Sequence, residues 1–456
     1  MAASGNIAVI DIGKTNAKMV LVGGDDLDEI AVQSRPNTVV AGPPYPHFNV
    51  DGLWDFIELN LAEFHAAHGV AAISITAHGA SGALLDGNGG LAAPILDYEH
   101  AGPDDLAHEY DAIRPGFAET GSPRLPAGLN LGAQLHWQFT TMPGLFDRTR
   151  WIVTYPQYWA FRLTGIAANE VTSLGCHTDL WDPHLARFSS MVERLGWRKK
   201  FAPIRRAGEI LGPILPGIAR RTGLSAATPV CCGIHDSNAS LLPYVLANDE
   251  PFSVISTGTW VIIMTVDGAE VSLDPLRDTL INVSASGNKV PSARFMGGRE
   301  FERLMQGRSQ VQSAADITAV LGKGAMLWPS VEPSSGPFPG RPARWSCDPA
   351  TLSDGERAVV ASFYLAMMTR VCLQLTGSRG RLFVEGAMAS NRAYMQLLSA
   401  ATGQSVTGSA GTGTSRGAAL LASAKSRPGP SQPEQQPGQG SAALTAYAQE
   451  WESGLS

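Results

Sequence analysis

The sequence is poor in charge and in cysteine. Only 16% of its 456 residues are Asp, Glu, Lys or Arg, and the formal net charge is −7. This balance argues against a nucleic-acid-binding surface as the main function. The five cysteines are odd in number and form no C-x-x-C motif, so we do not expect a disulfide framework. We expect reduced, buried thiols in a cytoplasmic protein at Cys176, Cys231, Cys232, Cys347 and Cys372.

The sequence also lacks the patterns typical of a transmembrane helix and of a signal peptide. It contains no uninterrupted run of 18 apolar residues, so we expect no transmembrane helix and no membrane partner. Its first residues, MAASGNIAVI, carry no basic segment and lead directly into a strand-like pattern. We therefore expect no signal peptide.

Strand-like and helix-like segments alternate along the chain, which is typical of an α/β architecture. Buried strands are predicted within 7–22, 71–80 and 228–236. Residues 53–69 have apolar side chains at helical spacing and end at a glycine, and residues 363–375 read as an apolar helix. A chain of this length is long enough for two or three domains.

Two segments repeat one plan. IAVIDIGKTNAKMVLV (7–22) and FSVISTGTWVIIMTV (252–266) each place a glycine-containing turn between two apolar strands. The repeat favours two similar halves, although β hairpins with glycine turns are also common in unrelated proteins.

The two turns are suited to anion binding, because exposed backbone N–H groups and threonine hydroxyls can surround a phosphate. They contain Asp11, Gly13, Lys14, Thr15 and Asn16 in the first hairpin, and Thr257, Gly258 and Thr259 in the second. Together they could hold a polyphosphate, with Asp11 as an oxygen ligand for Mg²⁺. Position 8 is alanine, which excludes a P-loop reading of Gly13-Lys14-Thr15. Each turn alone is also compatible with an ordinary hairpin.

Two further segments have both a structural and a functional interpretation. In GIHDSNAS (233–240), Asp236 either caps a helix or acts as a general base at a strand end. In 384–406, a strand, a small-residue turn and a helix form either an ordinary unit or an adenine site. His65 and His68 lie three residues apart, but no further ligand completes a zinc set, so we interpret them as surface residues.

In order along the chain, these segments resemble the FGGY family of carbohydrate kinases. The resemblance extends to about residue 424 and is carried by IDIGKTNAK, GIHDSNAS, STGTW and EGAMASN. Its most distinctive part is PQYWAFRLTG (156–165) followed by NEVTSLGCHTDLWD (169–182). The resemblance implies two actin-like (ribonuclease-H-like) ATPase domains of the α/β class with an interdomain active-site cleft. The implied boundaries are 1–245, 246–424, and a Pro/Gly/Gln-rich flexible segment with a short terminal helix over 425–456.

The resemblance also implies a reaction. The γ-phosphate of MgATP would pass to a sugar hydroxyl, with Asp236 as the general base and as a Mg²⁺ ligand with Asp11. The cofactor-binding residues implied are Asp11, Gly13, Lys14, Thr15, Asn16, Thr257, Gly258, Thr259, Gly386, Ala387 and Asn391. The partners are therefore ATP and a small sugar, with a homodimer as a possible assembly.

The sugar-facing residues implied by the resemblance are His78, Gly79, Glu99 and Asp236. In PILDYEH (94–100), Glu99 stands where many members have aspartate, which argues against a plain xylulokinase or glycerol kinase. The residues of the phosphate motifs look more similar to those of rhamnulose and fuculose kinases. We therefore favour L-rhamnulose or a related deoxyketose as the substrate. Tyr98, Trp137 or Trp159 would supply an apolar patch for its methyl group. The alternatives are a xylulose, ribulose or polyol kinase, a regulatory protein without catalysis, and an ATPase that moves a partner protein.

Overall fold

The computed structural model describes residues 5–409, 411, 413–423 and 442–455. The predicted flexible segment over 425–440 lies outside these residues. The chain forms two compact units that interleave along the sequence. The first contains the described residues of Met1–Ala247, Ile281–Lys289 and Thr412–Pro428, and the second those of Asn248–Leu280, Val290–Gly411 and Gly429–Ser456.

The first unit is built on one mixed sheet. Its strand order is β11-β12-β6-β1-β2-β3, and β13 also pairs with β6. The strands up to the end of this region are β1 (Ile7–Ile12), β2 (Asn16–Val22), β3 (Glu29–Pro36), β4 (Val39–Val40), β5 (His47–Phe48), β6 (Ala72–Ala77), β7 (Gly82–Leu85), β8 (Trp151–Thr154), β9 (Trp181–Asp182), β10 (Arg187–Phe188), β11 (Ile210–Pro213), β12 (Pro229–Cys231) and β13 (Ile234–His235).

Helices cover this sheet because they bury one apolar face each. Helix α1 begins after Asn49, whose side chain accepts the N–H of Gly52, and buries Leu53, Ile57 and Leu61. The helices of this region are α1 (Val50–His68), α2 (Ala107–Ile113), α3 (Phe117–Thr120), α4 (Leu131–Thr141), α5 (Leu145–Arg148), α6 (Tyr155–Thr164), α7 (Val171–Leu174), α8 (Ser190–Arg194), α9 (Pro216–Thr222) and α10 (Asp236–Ala247). Single 3₁₀ turns lie at Gly102–Leu106 and Trp197–Lys200.

A second sheet, whose strands belong to the second unit except for residues 281–283 and 289, repeats this plan. Its strand order is β16-β17-β15-β14-β20-β21. The strands are β14 (Phe252–Thr257), β15 (Val261–Val266), β16 (Thr279–Val283), β17 (Lys289–Phe295), β18 (Leu327–Trp328), β19 (Arg344–Trp345), β20 (Arg381–Gly386) and β21 (Val406–Ser409). In both units a hairpin's first strand also pairs in parallel with a later strand, β1 with β6 and β14 with β20. The sequence repeat therefore corresponds to a repeated topology.

The remaining helices are α11 (Gly297–Met305), α12 (Ala314–Lys323), α13 (Asp354–Leu375), α14 (Arg392–Thr402), α15 (Gly413–Leu420) and α16 (Ala442–Ser453), with 3₁₀ turns at Pro275–Arg277, Pro349–Thr351 and Ala387–Ser390. All except α15 belong to the second unit, where α16 buries Leu444, Tyr447 and Trp451. Helix α15 belongs to the first unit.

Helix α13 is the central helix of the second unit. A capping box between Ser353 and Glu356 starts it, and it is buried on almost every face. By length and composition it could span a membrane, but 83% of its most apolar stretch is buried inside the unit, as in the core helix of a globular domain. The helix passes this test of length and composition although the sequence contains no uninterrupted run of 18 apolar residues.

The cysteines agree with the prediction of reduced thiols, with one difference. None of the five forms a disulfide; four are buried, but Cys347 is only half-buried. Burial raises the pKa of the Cys231 thiol to about 12, which makes it unreactive at neutral pH.

Candidate active site

Three parallel strands of the first unit end at one edge of its sheet. Strand β6 lies beside β1, with Asp11 opposite Thr76, and beside β13, with His235 opposite Ala77. The chain segments that leave this edge begin at Gly13, His78 and Asp236. The carboxyl ends of parallel strands are the usual ligand-binding edge of an α/β sheet. The register thus brings together residues that are distant in sequence.

Asp236 is the first residue of α10. Its Oδ1 accepts the backbone N–H of Ser237 at 2.6 Å and lies 3.1 Å from Nε2 of His235. Its side chain is 29% exposed, so it remains accessible to a ligand. Burial nevertheless raises the pKa of this carboxyl above its ordinary 3.8, although His78 and Ser237 oppose the shift. A carboxylate with a raised pKa is a better proton acceptor than an exposed one.

The preceding histidine is held in one protonation state. Nδ2 of Asn238 lies 3.3 Å from Nδ1 of His235 and donates to it, so the ring proton is on Nε2, directed at Asp236. Burial lowers the pKa of His235 to about 4. The ring is therefore neutral at physiological pH, and its Nε2–H lies beside Oδ1 of Asp236.

Asp11 is buried in β1 and has a partner from far along the chain. The hydroxyl of Thr414, in α15, donates to Oδ2 of Asp11 at 2.5 Å. Burial raises the pKa of Asp11 to about 6, Thr414 counteracts this shift, and the negative charge of Asp236 adds to it. The two carboxylates are thus electrostatically coupled at the same sheet edge.

His78 follows β6 and lies among aromatic rings. Its ring centroid is 4.8 Å from Tyr155, 5.1 Å from Phe48 and 5.4 Å from Tyr98. Its Nδ1 donates to the carbonyl oxygen of Gly79 at 2.8 Å, which leaves Nε2 as a buried acceptor with no partner among the described residues. Burial lowers its pKa to about 4. A neutral ring with a free acceptor nitrogen is suited to a sugar hydroxyl.

Gly79 allows a close approach. A Cβ at this position would lie 2.8 Å from Nε2 of His235. Glycine is therefore required beside the histidine that positions Asp236.

The first hairpin turn contains Gly13, Lys14, Thr15 and Asn16. Gly13 donates its N–H to the carbonyl of Asn16 at 2.9 Å, and the side chains of Thr15 and Asn16 are exposed. Lys14 differs from the other turn residues, because its ammonium forms a short ion pair with Asp97 and lies 3.2 Å from Glu99. This geometry directs Lys14 to the segment predicted to face the sugar rather than to a phosphate. Glu99, predicted as a sugar ligand, is 67% exposed.

The second unit carries the other predicted phosphate turn. The hydroxyl of Thr257 donates to the carbonyl of Glu385 and accepts the N–H of Met388, whereas Gly258 and Thr259 are exposed. Gly386 lies opposite Thr257 in the parallel pair, and its φ of 80° favours glycine. The exposed groups of this turn are therefore those of Gly258 and Thr259.

The other predicted adenosine-site residues follow β20. Ala387 begins a 3₁₀ turn, and Asn391 caps α14. The amide of Asn391 accepts the N–H of Tyr394 at 3.0 Å and donates to Ser362 at 2.9 Å. These contacts give its side chain a structural function, and its adenosine role stays a prediction.

A magnesium ion is compatible with the residues at the first sheet edge. Among the described residues no group of three or more His, Cys, Asp or Glu is arranged to hold a metal. Mg²⁺, however, is commonly bound through one or two carboxylates together with substrate phosphates and water. Asp11 and Asp236 would supply two such oxygen ligands, and a cation would stabilise the charge that burial disfavours on both.

Sequence reasoning missed three residues of this site. His235 was visible beside Asp236, but nothing local indicated that its ring contacts the carboxylate. Asp97 stands inside the quoted PILDYEH segment and is buried, which was not predicted. Thr414 lies 403 residues from Asp11, and no sequence signal connects them.

Comparisons with known proteins agree with this organisation. The N-terminal domain of the FGGY family of carbohydrate kinases matches residues 6–243, and the C-terminal domain of FGGY carbohydrate kinases matches residues 249–432. A carbohydrate kinase structure from Novosphingobium aromaticivorans is 36% identical, with a TM-score of 0.91, over 98% of this chain and 100% of the other. A xylulose kinase from Lactobacillus acidophilus shares the fold, with a TM-score of 0.78 at 15% identity, over 98% and 97% of the two chains. The predicted two-domain, actin-like α/β fold is confirmed.

Among curated relatives, an L-fuculokinase from Salmonella typhi is 25% identical over 270 residues, which is 58% of this chain and 57% of the relative. The chain thus spans little more than half the length of that relative. The matching family domains confirm the resemblance seen in the sequence. The chain belongs to the FGGY family of carbohydrate kinases, a family that uses ATP with Mg²⁺.

Proposed function

We propose that this chain is a cytoplasmic sugar kinase that transfers the γ-phosphate of ATP to a hydroxyl group of a ketose. The observation that carries the proposal is the carboxylate of Asp236 at the ligand-binding edge of the first sheet. It is partly exposed, has a raised pKa, and lies beside His78 and Asp11. This is the arrangement expected of a general base next to a phosphate-binding turn.

In this mechanism Asp236 accepts the proton of the sugar hydroxyl while that oxygen attacks the γ-phosphorus. Among the described residues, the hydrogen bonds to Asp236 all reach Oδ1, so Oδ2 is the oxygen available for the proton. His235 and Ser237 hold the carboxylate in place during the transfer. Positioning and charge neutralisation supply most of the rate in phosphoryl transfer generally.

Phosphate binding is proposed for each hairpin turn within its own unit. Gly13, Thr15 and Asn16 in the first turn and the segment 257–259 in the second would bind phosphate through backbone N–H groups and hydroxyls. Gly386, Ala387 and Asn391 would line the adenosine site. A bound Mg²⁺, held by Asp11 and Asp236, would neutralise phosphate charge.

The favoured substrate is a deoxyketose such as L-rhamnulose or L-fuculose. The similarity to the L-fuculokinase supports this choice, although the aligned region covers only 57% of that relative. Tyr98 lies beside His78 and offers an apolar face for a methyl group. Trp159 is fully buried in the core and is unsuited to that role, and Trp137 contacts Tyr45 and His100 instead.

The test is a panel of L-rhamnulose, L-fuculose, xylulose, ribulose, erythritol and glycerol, with ADP release as the readout. We expect ketose-dependent ADP formation by the wild-type protein. Asp236→Asn is expected to keep ATP binding and lose at least about 100-fold in kcat, because it removes the proton acceptor. The control Asp105→Asn changes an exposed aspartate of the same unit and is expected to be fully active.

Three outcomes would contradict the proposal. Near-normal turnover by Asp236→Asn would exclude its role as the base. Sugar and ATP binding without ADP formation would indicate a regulatory protein. ATP hydrolysis that is independent of every sugar would indicate an ATPase acting on another partner.

A further inference from the structure

In the first turn, the side chain of Lys14 packs against the segment 94–100. Its Nζ forms a short ion pair with Oδ1 of Asp97 and lies 3.2 Å from Oε2 of Glu99. The same ammonium lies 4.8 Å from the ring centroid of Tyr98 and 5.2 Å from that of Phe48. The lysine side chain is 20% exposed and that of Asp97 is 9% exposed. This is an ordered, largely desolvated pair against two aromatic faces.

The pair is next to the proposed base. Tyr98, over which the ammonium lies, contacts His78 edge to face at 5.4 Å. The charges of Asp97 and Asp236 both contribute to the raised pKa of the Tyr98 phenol, and the charge of Lys14 affects the pKa of His78. The charges of Lys14 and Asp236 therefore both act on the ring of His78, whose Nε2 has no partner among the described residues.

The charges of this group select against acidic ligands. Two carboxylates, those of Asp97 and Glu99, lie beside the single ammonium of Lys14, and the charge of Asp236 acts on the neighbouring Tyr98. His78 adds an acceptor to this group, because its Nδ1 donates to the carbonyl oxygen of Gly79 and its ring lies against Tyr98. A sugar acid would bring a further negative charge into this region, whereas neutral hydroxyls can donate to the carboxylates and accept from the ammonium.

We propose that Lys14 and Asp97 form a sugar-recognition pair that selects neutral ketoses over sugar acids. The proposal rests on the proposed kinase function. It places Lys14 in the sugar site, whereas the position of Lys14 in the turn had predicted a contact with phosphate. Asp97 orients the ammonium, the ammonium donates to a sugar hydroxyl, and Tyr98 contacts the apolar face of the sugar.

The decisive measurement compares the KM values for ketose and for ATP in the variant Lys14→Met, which keeps the length of the side chain and removes its charge. We expect the ketose KM to rise at least about 10-fold, the range of one hydrogen bond to a charged group, while the ATP KM changes less than about 2-fold. The matched control Lys199→Met removes an exposed lysine of the same unit and is expected to alter neither value. A rise in the ATP KM with an unchanged ketose KM would assign Lys14 to phosphate and overturn the proposal.

The double variant Lys14→Met/Asp97→Asn controls for a folding defect in Lys14→Met. It removes both charges of the pair and so leaves no unpaired buried charge. We expect it to fold, by circular dichroism, and to bind ketose no more weakly than Lys14→Met. Asp97→Asn alone is expected to improve the binding of gluconate relative to that of the ketose.

Calorimetry with ATP-free protein separates this proposal from the kinase proposal. If the wild-type protein binds a neutral ketose without phosphorylating it, and Lys14→Met binds it at least about 10-fold more weakly, the recognition pair stands and the kinase function fails. Wild-type protein that binds no neutral sugar, or that binds gluconate more tightly than every ketose of the panel, would overturn the recognition pair.

Discussion

The proposed base Asp236 depends on the neutral histidine that precedes it. A histidinium at position 235 would lower the basicity of the carboxylate, whereas a neutral Nε2–H donor orients it at a smaller cost in basicity. Burial of the ring keeps it neutral, and Asn238 fixes the tautomer. The local packing of His235 therefore keeps a neutral N–H group beside the carboxylate of Asp236.

Gly79→Ala tests this packing directly. The added Cβ would lie 2.8 Å from Nε2 of His235, so the ring must move and its contact with Asp236 must change. We expect kcat to fall at least about 10-fold with little change in melting temperature, because a displacement of about 1 Å at a catalytic group is costly. A coupled ADP assay and a thermal melt measure the two effects.

The control for this variant is Gly87→Ala. Nothing lies within 4 Å of a Cβ at Gly87, so we expect wild-type activity and stability. If Gly79→Ala also keeps wild-type kcat, His235 does not position the base.

At the residue scale, the sequence predicted those site residues whose role can be seen within a short motif. The strand and helix patterns around Asp236 allowed either a helix cap or a general base, and the resemblance to the family favoured the base. Thr414 was not predicted, because its function depends on a contact with Asp11 that only the folded chain creates. Lys14 was assigned to phosphate, because sequence position gives the location of a backbone and not the direction of a long side chain.

At the scale of elements, α15 shows how a short helix supports the site. It packs against α10 so closely that a Cβ on Gly417 would lie 1.7 Å from the carbonyl oxygen of Ala239. Ala418, next to it, accepts the hydroxyl of Ser74 at 2.6 Å. Because α15 also carries Thr414, the close approach of the two helices determines where the partner of Asp11 lies.

Gly417→Ala is therefore expected to weaken both the fold and the site. Overpacking at this helix crossing should cost about 1–3 kcal/mol, and the shift of α15 should separate Thr414 from Asp11 and reduce activity. A thermal melt and a coupled assay of the same preparation measure both effects. The comparison variant is Gly322→Ala in α12, where nothing lies within 4 Å of a Cβ. It is expected to gain about 0.5–1 kcal/mol, and equal stability changes in the two variants would contradict the packing argument.

Elements were predictable where the pattern that defines them is local. Both hairpins were predicted, because two apolar strands and a glycine turn fit within about 16 residues. Helix α13 was predicted from residue 363, but it begins at Asp354, since its capping box lies outside the apolar run. The strand predicted over 228–236 is divided into β12 and β13 at Gly233, whose φ is 94°. A single break of this kind is not visible in an apolar sequence.

At the scale of the whole molecule, the repeat of two hairpins predicted a repeated unit. The meander β3-β2-β1 followed by parallel β6 corresponds to β17-β15-β14 followed by parallel β20. The interleaving of the units along the chain was not predicted, because the hydrophobic pattern of α15 does not indicate which sheet it covers. The domain boundaries at 245 and 424 remain predictions.

Each unit also buries one glutamate with an unusual proton affinity. Glu170 in the first unit receives hydrogen bonds from Thr172, and Glu300 in the second receives them from the N–H of Glu332 and the hydroxyl of Tyr364. Burial raises the pKa of each carboxyl from 4.5 to about 7. Between pH 4.5 and about pH 7, both carboxyls are protonated in the folded chain but ionised in the unfolded chain. The contribution of these two groups to the free energy of unfolding is therefore largest below pH 4.5. It is lost as the pH rises to about 7.

The double variant Glu170→Gln/Glu300→Gln measures this effect, because glutamine keeps an acceptor oxygen and does not ionise. We expect the melting temperature of the wild-type protein to fall by a few degrees more than that of the variant between pH 5 and pH 8, which corresponds to about 2–3 kcal/mol per group. The control Glu63→Gln/Glu302→Gln changes one exposed glutamate in each unit and should follow the wild-type profile. Parallel profiles for the wild-type protein and the buried double variant would mean that both carboxyls ionise normally in the folded chain. In that case the hydrogen bonds of Glu170 and Glu300 compensate fully for their burial.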